Sequence, residues 1–313
     1  MFRKFTNILS LIALVAVIIL AFHFVFFANN GGNSPCDTEA QSNGTNDSPQ
    51  PPISGPIVPG TPEPGTPERP PDVPALWQLV SLDDIYNTEY LILVNRQFAI
   101  PRDIENELVR TSARVRSTNN NVRLHESALD ALVDMFASAH AAGFTNLMLA
   151  SGFRTIASQT SIYNNGTPGY VMPPFHSEHN TGFAADITFV GRSLREFANT
   201  PASRWMRENS WRYGFILRYP ADKTHITSIN YEPWHFRFVG VPHAYYIHTN
   251  GLALEEYIEL LQERGSLRIE VEGRTYYIYR QVPVGGQLNL PTDREFIVSS
   301  DNKGGYIITA WRA

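Results

Sequence analysis

Residues 29–74 hold almost nothing that can build a hydrophobic core, so any globular domain in this chain of 313 residues must form after them. The first part, 29–48, is mostly Asn, Gly, Ser, Thr and acid, and the second, 49–74, is dominated by proline and glycine. Neither part can bury enough apolar surface to offset the entropy of ordering a chain. The proline-rich part is expected to be a semi-rigid spacer, extended at about 3.1 Å per residue where polyproline II persists. Ahead of it, Arg3 and Lys4 precede an almost unbroken apolar run over 8–27. At about 1.5 Å per residue this run spans the roughly 30 Å of a bilayer core. It reads as a membrane anchor or a signal peptide. Its length, and the lack of a clear small-x-small cleavage site, favour an uncleaved single-pass anchor with the basic end in the cytoplasm and the rest of the chain outside. The expected organisation is therefore a cytoplasmic tip and anchor at 1–28, a linker at 29–74, a main globular domain at 75–265 and a small β-rich extension at 266–313.

Within 75–265 one stretch pairs a histidine with a carboxylate among small residues: Ser177-Glu-His-Asn-Thr-Gly-Phe-Ala-Ala-Asp186. His179 offers an imidazole nitrogen and Asp186 an anionic oxygen, donors that suit a borderline cation such as zinc. Two ligands do not make a site. A third is expected from Tyr231-Glu-Pro-Trp-His235, where His235 completes a two-histidine, one-carboxylate set and leaves a fourth position for water, with Glu232 beside it. Glu232 and His235 are spaced like the Glu and second His of the helical His-Glu-x-x-His motif. Pro233 between them pushes Glu232 towards an extended conformation, so the segment is read as entering a strand. Cys36 is the single cysteine, which excludes an internal disulfide and a cysteine-rich zinc site. A net charge of -5 gives no basic footprint, and there is no P-loop or dinucleotide fingerprint, so nucleic acid is not an expected partner.

Taken in order, Ser151-Gly-Phe-Arg154, Ser177-x-His179-x-x-Gly182-x-Ala184-x-Asp186 and Glu232-Pro-Trp-His235 resemble the signature of the VanY-type zinc D,D-carboxypeptidases and their L,D-carboxypeptidase relatives, over about residues 91–261. The resemblance implies an α+β fold, a small mainly antiparallel sheet flanked by helices, of the D-Ala-D-Ala carboxypeptidase/Hedgehog-like kind. It implies one zinc ion held by His179, Asp186 and His235, with Glu232 as general base, acting on the peptide stems of peptidoglycan. Arg154, whose guanidinium can clamp a carboxylate or stabilise an oxyanion, gains a functional assignment from it. So do Gln159, Ser177 and Tyr219, as contacts to the terminal D-alanine. Removal of D-alanine from tetrapeptide stems by an L,D activity, and a non-catalytic wall-binding module with a structural metal, are the alternatives. The sequence carries no indication of oligomeric state.

The remaining pattern is coarser. Apolar positions at 129, 132, 133 and 136 predict a helix over 126–142 that Gly143 stops, with His140 on or near its inward face. Strands are expected at 147–150, 215–219 and 236–239, a pocket-overhanging loop at 164–174, and helices at 193–199, 203–213 and 252–263. Tyr163 is expected to pack. Alternation at 267–271 and 275–279, and again at 295–299 and 306–311, predicts two hairpins. His176 is weighed as an alternative ligand and His225 as structural or a residue of the rim.

Overall fold

The computed structural model describes residues 76–102 and 104–312. The anchor and linker expectations lie outside these residues. Among the described residues no helix is long and apolar enough to cross a membrane.

The centre of the fold is a four-stranded antiparallel sheet. In chain order the elements that lead to it are β1 (Trp77–Ser81), β2 (Leu108–Arg110), β3 (Arg123–His125), helix α1 (Glu126–Ala141), β4 (Leu147–Ser151), α2 (Ile156–Asn165), β5 (Ala184–Phe189), α3 (Leu194–Phe197), α4 (Pro201–Asn209), β6 (Phe215–Leu217), α5 (Thr224–Thr227) and β7 (His235–Phe238). The sheet runs β4-β5-β7-β6. This is the α+β, mainly antiparallel arrangement expected. Because strand side chains alternate, Ala185 and Ile187 of β5 and Phe236 and Phe238 of β7 point one way. They meet Leu129, Leu132 and Met135 of α1 and Met206 of α4 in one apolar cluster. Asp186 and His235 therefore face the other way. On β4 the register shifts between Leu149 and Ser151, an irregularity of the kind that re-aims a side chain at a strand end.

Helix α1 starts where His125 caps the chain, its Nδ1 accepting from the Ser127 N–H at 3.3 Å. It ends before Gly143, whose φ of +95° suits glycine. Its buried side chains are Ala128, Leu129, Leu132, Met135 and Ala139. His140 is exposed, a correction to the expected inward placement: Ala139 takes that position, and one residue on is about 100° round the helix. Tyr163, expected to pack, is 42% exposed. The helix expected over 203–213 divides into α4 and a 3-10 turn, Ser210–Tyr213, closed by Gly214 at φ +77°.

After β7 the chain forms α6 (Val241–Asn250), which the periodicity did not suggest, then α7 (Leu254–Arg264), β8 (Ser266–Val271), β9 (Arg274–Gln281), β10 (Gln287–Pro291), β11 (Glu295–Ser300) and β12 (Tyr306–Trp311). The two expected hairpins join edge to edge in a sheet of order β11-β12-β9-β8, and β10 pairs with β1 from before the catalytic motifs. A second apolar cluster holds Leu91, Ile216 and Ile258 together with Ile269, Ile278 and Ile307, so the β-rich extension shares a core with the preceding segment. The buried run 91–95 belongs to no ladder. Its carbonyls at Ile92 and Leu93 accept from the side chains of Arg237 and Asn302, while Leu93 N–H donates to the Asp301 carbonyl and Asn95 N–H to that of Phe98.

Gly182 closes the turn that carries His179, at φ +73°, and a Cβ there would lie 2.5 Å from a Leu108 methyl. Gly251 is also left-handed, at φ +61°, with open space around it. Gly182→Ala is expected to cost about 2–4 kcal/mol of stability, and Gly251→Ala about 1 kcal/mol. Urea unfolding of the two variants side by side measures the difference.

Candidate metal centre

Three adjacent strands bring the chemistry together by register. Asp186 is the direct pairing partner of Ser151 on one side and of His235 on the other. His179 arrives separately, on the 3-10 turn Glu178–Thr181 that Ser177 caps, its Oγ accepting from the His179 N–H at 3.3 Å. The Glu232-Pro-Trp-His235 segment is a turn closed by His235 N–H donating to Glu232 O at 3.0 Å, and it delivers His235 as the first residue of β7. Pro233 thus excludes a helix here, as expected.

The result is a buried set of His179, Asp186 and His235 with donor atoms all within 4.8 Å of one another. His179 Nε2 lies 3.2 Å from Asp186 Oδ2, His235 Nδ1 lies 2.9 Å from Asp186 Oδ1, and the imidazoles meet edge to face at 4.9 Å. The His179 tautomer follows from its surroundings. Its Nδ1 is 2.7 Å from the Gly152 carbonyl, which can only accept, so Nδ1 carries the proton. Burial and the charge of Arg154 push its pKa down, so the ring is neutral and its Nε2 lone pair faces a carboxylate oxygen. Two acceptors 3.2 Å apart with no proton to share form a pair that a metal ion can bridge. The donor set fits a zinc-type ion: two imidazole nitrogens and one carboxylate, with space left in the adjoining cavity.

Burial opposes ionisation of Asp186, but the two imidazoles hold its pKa well below the usual carboxylate range. Arg154 adds a hydrogen bond from Nη2 to Asp186 Oδ2 at 2.9 Å and is itself steadied by its Nε donating to Ser151 Oγ at 3.1 Å. Burial alone would lower His235, yet its contacts with Asp186 and Glu178 outweigh that and push it up to about 9. Burial pushes the Glu232 carboxyl up to about 8, with Asp186 adding to the shift and His235 and Arg154 opposing it. A divalent ion alongside would favour the carboxylate.

All eight residues singled out in the sequence, Arg154, Gln159, Ser177, His179, Asp186, Tyr219, Glu232 and His235, line one cavity of about 270 Å³. Thr167, Tyr170, Val171 and Met172 form a wall of it; they lie on the expected loop, which begins after α2 ends at Asn165. His176 is not among the converging donors; its Nδ1 lies 2.7 Å from Asn95 O. His225 is exposed.

Sequence reasoning missed what lies behind the centre. Glu178 is buried with two arginines on one oxygen, Arg218 Nε at 2.6 Å and Arg237 Nη1 at 2.9 Å. Arg218 also clamps Glu255 with two bonds of 2.7 and 2.8 Å. The available signal was weak: Arg237 sits one place from Phe236 and Phe238, a charge inside a run otherwise fit for a core strand.

If the three donors bind an ion, doing so must expel the extra proton held by His235. Zinc affinity is therefore expected to rise by roughly tenfold per unit from about pH 6 to about pH 8, levelling off above the apo value near 9. Chelator competition across that range measures it. His179→Ala, Asp186→Ala and His235→Ala should each leave the protein metal-poor after dialysis.

Residues 121–241 match the VanY family model, D-alanyl-D-alanine carboxypeptidase. Among curated relatives, a D-alanyl-D-alanine carboxypeptidase of Enterococcus faecium is 32% identical over 229 residues, covering 71% of this chain and 75% of that protein. The putative carboxypeptidase YodJ of Bacillus subtilis is 36% identical over 58% of this chain and 72% of its own. Among solved structures, the vancomycin resistance D,D-dipeptidase VanXYg, in complex with a D-Ala-D-Ala phosphinate analogue, superposes with a TM-score of 0.66 at 29% identity, over 76% of this chain and all of that one. Such identity, sustained across three quarters of an enterococcal enzyme, makes this chain a member of the VanY D-alanyl-D-alanine carboxypeptidase family.

Proposed function

We propose that the chain is a zinc-dependent D,D-carboxypeptidase that removes the terminal D-alanine from peptidoglycan stem peptides. The observation that carries this reading is the placement of Glu232. Its carboxylate lies 3.8 Å from His235 Nδ1, at the edge of the three-donor centre and inside the same cavity.

His179, Asp186 and His235 would hold a zinc ion, which when bound would supply Lewis acidity to a carbonyl and lower the pKa of a nearby water. The chain's own residues do the rest. Glu232, buried and therefore a stronger base than a solvated carboxylate, takes a proton from the attacking water and returns it to the leaving amine. Arg154 sits at the end of β4 with its guanidinium in the cavity, where it faces negative charge developing on the scissile carbonyl.

The walls suit a free terminus. Burial pushes the Tyr219 hydroxyl far above its ordinary pKa, so it remains a donor, and its presence with the Ser177 hydroxyl in the cavity lining supports a role in receiving the terminal carboxylate. Gln159 contributes an acceptor where Ser177 and Tyr219 contribute donors. Its Nε2 is committed to Met172 O at 2.7 Å, while its buried Oε1 has no protein partner among the described residues. The atom left over is an acceptor, which suits a substrate N–H. The apolar run at 8–27 and the linker at 29–74 support a domain held on the outer side of a membrane.

Likeness to a D,D-dipeptidase along that protein's full length favours one further reading, cleavage of free D-Ala-D-Ala by the same centre. Incubation with a pentapeptide stem, a tetrapeptide stem and D-Ala-D-Ala, with products weighed by mass spectrometry, separates these. Release of D-alanine from the pentapeptide is expected. Glu232→Gln should retain zinc and lose on the order of 10²- to 10⁴-fold in kcat; near-full turnover by that variant would remove Glu232 as the base.

A further inference from the structure

Glu178 occupies the position between Ser177 and His179, yet its side chain turns away from the cavity and is 1% exposed. One carboxylate oxygen, Oε1, accepts from Arg218 Nε and Arg237 Nη1. The other, Oε2, has no hydrogen bond among the described residues, and neither has His235 Nε2. These two unpartnered buried atoms face each other at 3.5 Å. A closing shift of a few tenths of an ångström makes them a hydrogen bond, and each is the partner the other lacks.

We infer that Glu178 is a positioning residue for the metal centre: it accepts the Nε2–H of His235 and so holds that imidazole in the tautomer whose Nδ1 lone pair faces Asp186 and His179. The inference rests on the metal centre proposed above. A ligating imidazole works through one nitrogen, and the group bonded to the other decides which nitrogen that is. For His179 the Gly152 carbonyl plays this part. For His235 it falls to a carboxylate that two fully buried arginines fix in place. Those arginines also prevent Glu178 from swinging into the cavity to compete for the ion.

An isosteric change gives a discriminating test. In Glu178→Gln the amide oxygen is drawn to the two arginine donors, which leaves its NH₂ facing His235 Nε2. The NH₂ can only donate, so it favours the opposite tautomer, with Nδ1 protonated. The expected result is zinc affinity lowered by roughly 10- to 100-fold in chelator competition. Glu255→Gln disturbs the same buried cluster through Arg218 without touching Glu178 or His235 and is expected to lose far less. Equal loss in both variants, or wild-type affinity in Glu178→Gln, would overturn the proposal. A measurement on the unaltered protein stands beside these in case a variant fails to fold. Long-range ¹H–¹⁵N NMR of the zinc-loaded protein should show His235 with its proton on Nε2 and His179 with its proton on Nδ1; a proton on His235 Nδ1 would refute the assignment. Failure of the unaltered protein to bind zinc at all would instead reject the metal centre, and this role with it. That outcome is distinct, because it requires no variant.

Discussion

A carboxylate that is 2% exposed stays ionised only if its neighbours replace the water it has lost, and Asp186 is such a carboxylate. Much of the local architecture meets that demand. The ladder puts His235 beside it, the capped 3-10 turn brings His179 to its other oxygen, and Arg154 reaches in from the end of β4. Each donor comes from a different element, so the site exists only when the sheet is in register. A slip of one residue would send Asp186 to the opposite face, among the side chains of α1.

Behind this layer lies a second set of buried charges. Glu178 is shared by Arg218 and Arg237, Arg218 is shared with Glu255, and Glu255 accepts from Asn95. Burying so many charges costs more in desolvation than pairing them usually returns, so stability alone does not account for them. Their geometry suggests what they achieve. Arg237 donates to the carbonyls of Tyr90 and Ile92, Asn302 of the β11–β12 turn donates to those of Leu93 and Ala99, and Leu91 N–H donates to Ser299. The segment at 90–99 is thus held from one side by residues next to the centre and from the other by the β-rich extension. His243 shows the same dual anchoring: it is buried between the Tyr257 hydroxyl and Thr309 of β12, and burial pushes its pKa down to about 3.

Legibility followed the range of the interactions. Helix α1 could be read because its buried positions repeat at three and four residues and a glycine ends it, both local facts. The hairpins of the extension were likewise visible as alternation around short turns. His140 was misplaced because neighbouring positions on a helix differ by about 100°, and the pattern does not resolve which of Ala139 and His140 lies inward. Helix α6 escaped because it starts only three residues after a strand ends, and a proline at the first turn is easily read as a break when it in fact suits a helix start. The pairing of β1 with β10 joins residues some two hundred positions apart, and nothing local announces it.

By itself the sequence determined which atoms were available for chemistry. Two imidazoles, an aspartate and a glutamate held off a helix by Pro233 are legible because metal and proton chemistry restricts residue type, and the arginine after a strand is legible through the family resemblance of its motif. The tertiary structure alone decided how those atoms are presented. Which nitrogen of His179 is free depends on a carbonyl 27 residues away, and what faces His235 Nε2 depends on Glu178, which two arginines from β6–α5 and β7 hold in place. Hydrogen-bond direction and the cost of burying charge belong to contacts across the fold, and no stretch of sequence carries them.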